Sequence, residues 1–366
     1  MITLKKKLFL ILAVFLYIFF FTQKVYAMHI SEGILPLPWA GLWYLIAFPF
    51  LIMGVFSVKK RSKENPGFKP LLGLMGAIVF VISCMPVPVP TAGTCSHPAG
   101  TGISAILIGP LMSVFVTSIA LLIQALFLAH GGITTWGADI VSMGVAGSFA
   151  AYAAFKILRK FKASLFISGF AAGLLADWAT YITTSFELAS ALHGTKPLFS
   201  LFVTILTAFI PTQLPLGILE GFLTGGMIVF VYKRRPDILA SLGVVNPVRN
   251  TKALREENKI SNGVKENGKR IIKGQAKIIG ILVISLFLCA NSHFAFAKEA
   301  KWSGVDESVV EKVAQEHGRP AWTPFINTDQ GDLLLFVFLL AGTAGGFVMG
   351  YNFRKLFVEN RIKNVE

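Results

Sequence analysis

Charge is what this 366-residue sequence has least of: 14% of its residues are Asp, Glu, Lys or Arg, where a soluble domain carries roughly a quarter. A molecule wetted on all sides is thereby excluded. Cysteine is scarce too. Cys84, Cys95 and Cys289 make no disulfide framework, and an odd count leaves at least one thiol free. No period-two alternation marks barrel strands, and no repeat of 20–50 residues stands out. The sequence has no Gly-x-x-x-x-Gly-Lys-Ser/Thr phosphate loop, which excludes ATP hydrolysis by that route. No Ser/His/Asp or paired-carboxylate arrangement is visible either, so nothing marks it as an enzyme.

What is abundant is apolar sequence, 54% of the chain, gathered in runs of about twenty residues. Backbone groups in hydrocarbon must bond within their own segment, so these runs are helices. The predicted fold class is all-α: a polytopic membrane protein of about seven transmembrane helices, followed by a C-terminal two-helix module. The formal charge of +15 does not signal nucleic acid. Its Lys and Arg cluster in loops between apolar runs, the cytoplasmic excess of a protein set in a lipid bilayer.

Residues 1–27 read as a signal peptide, with Lys5-Lys6-Lys7 as its positive end, Leu8 to Phe21 as its apolar core and Val25-Tyr26-Ala27 as a cleavage site. An uncleaved anchor is the alternative. Cleavage after Ala27 leaves Met28 as the amino terminus, outside the cytoplasm. From that side, the run Trp39 to Val58 ends inside at Lys59-Lys60-Arg61, and Leu71 to about Val89 returns. The nearly uncharged stretch 102–135 has length for two short crossings, interrupted by Gly109-Pro110. Ile140 to Ile157 ends at Arg159-Lys160, Leu165 to Leu188 returns, and a run after Leu198 ends at Lys233-Arg234-Arg235. Pro211 and Pro215 predict that this last run breaks into a half-helix and a crossing from about Leu214. All the basic loops then fall on one side.

Residues 28–240 form the first membrane domain. A basic cytoplasmic linker, 241–277, follows; residues 233–277 hold 12 Lys/Arg against 4 Asp/Glu. The module 278–366 carries apolar runs at Ile278 to Ala297 and Leu333 to Tyr351, with a polar outer segment between them. Ala295-Phe296-Ala297 resembles a second cleavage site, with a plain membrane helix as the default.

Chemistry concentrates in the histidines. His130, His193, His293 and His317 are read as structural. His29 differs because cleavage makes it the second residue. The Met28 amine, the deprotonated His29 amide and the His29 imidazole then close fused chelate rings on one ion. Such planar nitrogen coordination suits nickel(II) and copper(II), whereas sulfur-rich tetrahedral sites suit zinc. The loop Pro90 to Gly102, rich in Gly, Thr and Ser, lies on the same side and offers His97 for the open position. The alternative is an ordinary tight turn. Thr94 and Ser96 are candidates to orient ligands from behind. Glu32 either bonds a ligand or caps the first helix, with capping preferred. Cys95 is left out. Asp139, Asp177 and Glu220, acids in or beside apolar runs, are given no transport role, and Ala146, Ala150 and Ala154 form a small-residue packing face.

Three stretches carry a resemblance: Met28-His29-Ile30-Ser31-Glu32-Gly33-Ile34-Leu35, Cys95-Ser96-His97-Pro98-Ala99-Gly100-Thr101-Gly102, and Leu216-Gly217-Ile218-Leu219-Glu220-Gly221. Over about residues 28–240 the chain resembles the metal-binding membrane component of the cobalt/nickel energy-coupling-factor (ECF) transporters, the CbiM/NikM type. The tail from Trp302 to Tyr351 resembles their small accessory subunit, the CbiN/NikN type. The resemblance implies a seven-helix subunit that holds Co(II) or Ni(II) as transported substrate on Met28, His29 and His97. It also implies separate ATPase subunits, a transmembrane coupling subunit and a place in the bacterial inner membrane. The metal would supply cobalamin synthesis or nickel enzymes. Many members begin directly at Met-His, whereas this chain carries a leader ahead of it. Two other classes stay open: a self-sufficient gradient-driven carrier, and a membrane-anchored metal sensor or assembly factor.

Overall fold

The computed structural model describes residues 29–65, 67–85, 87–89, 94–245, 306–328 and 333–359. The leader, Met28, the linker beyond residue 245, and the apolar run 278–297 with Cys289 and His293 lie outside the described residues. The described residues fall into two units: residues 29–234 with 306–359, and residues 235–245.

The first unit is a helical bundle. Its helices are α1 (Leu37–Glu64), α2 (Phe68–Cys84), α3 (Thr101–Ile108), α4 (Pro110–Phe127), α5 (Trp136–Lys160), α6 (Leu165–Leu192) and α7 (Leu198–Arg234). A short hairpin, β1 (Val87–Val89) with β2 (Thr94–Ser96), joins α2 to α3, pairing Val87 with Ser96 and Val89 with Thr94. Among the described residues, α1, α4, α5, α6 and α7 are each long and apolar enough to cross a membrane, as is the window Phe336–Phe357. The chain is a multi-pass membrane protein. The bundle is apolar outside: Leu45, Phe48, Phe56 and Phe222 stand exposed where lipid would lie. Hydroxyls fill the inside, with Ser113 bonded to both Ser104 and Ser148.

Two predicted boundaries change. Gly109-Pro110 does divide the 102–135 stretch, but unequally. At 8 residues, α3 rises about 12 Å and cannot cross, while the 18 residues of α4 rise about 27 Å. The run after Leu198 does not break at its prolines. It is one helix of 37 residues, about 55 Å long. Inside a membrane bundle a proline's lost hydrogen bond is made good by neighbours. The carbonyls that lose their helical donors are those of Thr207 and Pro211; between the two prolines the Trp178 indole N–H donates to the Gln213 carbonyl at 3.1 Å and ties this stretch of α7 to α6. Glycines at matched positions bring α6 and α7 together; a Cβ on Gly173 would stand 2.5 Å from the Glu220 carbonyl oxygen.

From residue 306 come the π-type turns Asp306–Glu311, the short helix α9 (Lys312–Glu316) and the helix α10 (Leu333–Arg354). α10 lies against α2, where Gly345 meets Phe80 and Val81, and Gly73 meets Asn352. The second unit contains one short helix, α8 (Pro236–Ser241), with an Arg235–Asp237 ion pair at 2.6 Å.

Candidate metal centre

His29 precedes α1, His97 follows β2 and His130 follows α4. Helix direction alternates along the chain, so these three places share one end of the bundle. The basic ends of α1 and α5 lie at the other end. At the histidine end the rings meet. His29 and His97 have centroids 4.7 Å apart, His29 and His130 4.6 Å, and His97 and His130 5.2 Å. One nitrogen from each ring lies within 4.8 Å of the others. His97 and His130 are 3% and 1% exposed.

A chain of hydrogen bonds sets which nitrogen of His29 is available. The Ser83 hydroxyl donates to the Val79 carbonyl at 2.7 Å, so its lone pairs accept the Gln124 side-chain N–H at 2.8 Å. That turns the Gln124 oxygen toward His29 Nε2, 3.0 Å away, which must then carry the proton. Nδ1 keeps its lone pair, and Nδ1 is the atom that closes a ring with the residue's own amide nitrogen. His97 is fixed the other way round: its Nδ1–H donates to the Pro98 carbonyl at 3.0 Å, leaving the lone pair on Nε2.

His130 is the residue the sequence reading left among structural histidines. It is held between Ala129 at φ 47° and Gly131 at φ 80°, an uncommon backbone of the kind found at functional sites. A Cβ at Gly131 would press on His29 Cβ at 3.1 Å. Neither ring nitrogen of His130 has a hydrogen-bond partner among the described residues. A buried, unsatisfied imidazole is costly, and a metal ion removes that cost.

The neighbouring groups secure the backbone around the rings. Glu32 does not cap α1, whose first residue is Leu37 behind Pro36. Its carboxylate instead accepts the amides of Ile133 and Thr134, pinning the segment before α1 to the turn after His130. Asp139 accepts the Ile30 amide at 3.3 Å. Ser96 sits behind the cluster, bonded to the Tyr181 hydroxyl at 3.2 Å and the Gln213 amide at 3.0 Å. Thr94 and Cys95 lie in β2, opposite Val89 and Pro88. His193 bonds the Lys196 carbonyl and His317 the Val313 carbonyl; both are local turns away from the cluster. The polar segment before α10 lies over the segment before α1: Arg319 donates to the Gly33 and Ile34 carbonyls, and Glu311 accepts the Ser31 hydroxyl.

Burial first, then the neighbouring rings, hold the His29 and His130 imidazoles well below their ordinary value; Gln124 partly opposes this for His29. Both are thereby kept in the neutral form that binds metal. The sign for folding follows. The unfolded chain protonates these rings near 6.5 and the fold resists it, so stability is full above that value and falls as pH drops through it. The metal-free protein should melt at a lower temperature at about pH 5.5 than at about pH 7.5. The gap should narrow in His130→Ala. An equal melting temperature at both pH values would mean that the rings protonate freely in the fold.

Residues 29–238 match the family model described as cobalt uptake substrate-specific transmembrane region. The Cobalt transport protein CbiM of Geobacter sulfurreducens is 56% identical over 336 residues, covering 92% of each chain. That of Sorangium cellulosum is 55% identical over 218 residues, 60% of this chain and 97% of its own. A Putative fused cobalt transport protein CbiMQ of Methanocorpusculum labreanum is 38% identical over 88% of this chain and 53% of its own. A crystal structure of a transition metal transporter superposes with a TM-score of 0.50 at 25% identity, covering 56% of this chain and 93% of that one.

Proposed function

The chain belongs to the cobalt-uptake substrate-specific transmembrane family, the CbiM type, and from that premise we propose that it captures cobalt at the outer face of the inner membrane as one component of an ATP-driven importer. Cobalt is the transported substrate. The observation that carries the site is the meeting of three imidazoles from three separate chain segments, two with their tautomers set by hydrogen bonds. His29, His97 and His130 supply one nitrogen each. The Met28 amine, exposed by removal of residues 1–27, and the His29 amide supply two more.

With the histidine end outside, the basic ends of α1, α5 and α7 face the cytoplasm, as lysine and arginine do in inner-membrane proteins. ATPase subunits and a transmembrane coupling subunit work from that side, since the chain has no phosphate loop of its own. Residues 278–366 act as a fused accessory subunit joined through the basic linker 241–277, and Arg319 and Glu311 of that module hold the segment that carries His29.

Deleting the partner ATPase in a cell that carries this chain should abolish uptake of labelled cobalt. Uptake that persists would favour a gradient-driven carrier, a reading motivated by Asp177, buried in α6 with no hydrogen-bond partner for its carboxylate among the described residues. Binding of cobalt with no flux in the complete system would favour a sensor.

A further inference from the structure

We infer that Glu220 is a positioning residue for the metal, which ties the loop presenting His97 to helix α7. This deepens the reading of the cluster as a metal centre and rests on it. His97 stands in a loop of four residues between β2 and α3, and proline follows it, so the next backbone donors are the amides of Ala99 and Gly100. One carboxylate takes both. Glu220 Oε2 accepts Ala99 N–H at 2.7 Å and Oε1 accepts Gly100 N–H at 3.0 Å. The two bonds fix the plane of the loop as well as its distance, as bidentate pairs do.

The same carboxylate does the work of a helix cap. Gly100 opens α3 at φ 72° and has no side chain to cap it. The Gly102 amide, in the first turn of α3, also lies within reach of Glu220. A negative group is favoured at that end of a helix. Glu220 comes from a different helix, 120 residues along the chain, so the start of α3 and the stem of His97 are both referred to α7.

Position is the reason to keep an acid here. Glu220 is 1% exposed in an apolar bundle, where a carboxylate costs several kcal/mol that an apolar residue would not. The place of Glu220 is itself set closely. A Cβ on Gly173 of α6 would stand 2.5 Å from the Glu220 carbonyl oxygen, and one on Gly221 would stand 2.8 Å from the Phe170 carbonyl oxygen. A shift of α7 against α6 therefore moves the carboxylate, the loop and His97 together. α7 continues to Lys233 and Arg234 at the far basic end.

The test uses the full-length, processed protein titrated calorimetrically with cobalt(II) and nickel(II), with the visible absorption of each complex recorded. Glu220→Gln keeps the shape but sets an N–H₂ group against a backbone N–H. It should weaken binding by about 10- to 100-fold and move the absorption toward that of His97→Ala. In a His97→Ala background it should cause no further loss, because a residue acting through another has nothing left to act on. An additive loss in the double variant would make Glu220 a general stabiliser and overturn the inference. So would unchanged affinity in Glu220→Gln while His97→Ala loses binding. If His97→Ala itself binds like the parent, the metal-centre reading fails and takes the inference with it. Should Glu220→Gln not fold, Glu220→Asp keeps the charge and draws it back by one methylene. The same non-additivity with His97→Ala is expected, and an additive loss overturns the proposal.

Discussion

Replacing Val25 and Ala27 with bulky residues, so that the leader stays attached, should weaken cobalt binding by about a hundredfold or more, close to 2.8 kcal/mol. The cause is chemical. With the leader on, the Met28 nitrogen is an amide whose lone pair is delocalised into its carbonyl, and no amine is present to start the chelate. Loss of that anchor also discourages deprotonation of the His29 amide, because the metal no longer sits beside it. Two of five nitrogens go at once. What remains is an imidazole cluster that lacks fused rings. Calorimetry on the retained and processed forms, each verified by amino-terminal sequencing, measures the difference. Equal affinities would show that the imidazoles alone hold the ion.

The broad plan of the bundle is readable in the sequence because lipid imposes it. Apolar length gave α1, α5 and α6 to within about six residues at either end, and Lys59-Lys60-Arg61 and Arg159-Lys160 mark the ends of α1 and α5 away from the histidines. What could not be read from local pattern is whatever depends on a neighbour far along the chain. Pro211 and Pro215 break a helix considered alone, yet α7 stays whole with Trp178 bonded between them. Glu32 looks like a cap for the helix next to it, but its partners are Ile133 and Thr134, about a hundred residues on. Glu220 looks like one acid in an apolar run, and its partners are the amides behind His97.

His130 is the instructive omission. The sequence reading left it, in Ala129-His130-Gly131-Gly132, among the structural histidines. A usable signal was nevertheless present. Counting crossings puts the end of α4 on the same side as His29 and His97, and two glycines after a histidine permit the close backbone approach that a buried ligand needs. Parity and glycine together would have singled it out; neither does so alone.

That third imidazole bears on which ion is held. In the proposed site the Met28 amine, the His29 amide and imidazole and one imidazole from His97 would make a planar set of four, the arrangement that favours nickel(II). The His130 ring is inclined at 73° to His29 and 49° to His97, and in the proposed site it would be a fifth donor. Cobalt(II) accepts five or six ligands and gains from it, whereas nickel(II) in a strong planar field gains little. His130→Ala should therefore cost cobalt about tenfold or more in affinity, some 1.4 kcal/mol, and cost nickel distinctly less, shifting selectivity toward nickel. His193→Ala, whose ring only closes a turn onto Lys196, should leave both affinities unchanged. Competition titrations with the two ions on the parent and both variants give the ratio directly. Equal losses for cobalt and nickel in His130→Ala would mean that the ring supports the pocket without choosing its cargo. Selectivity would then have to arise from the four nitrogens in the plane.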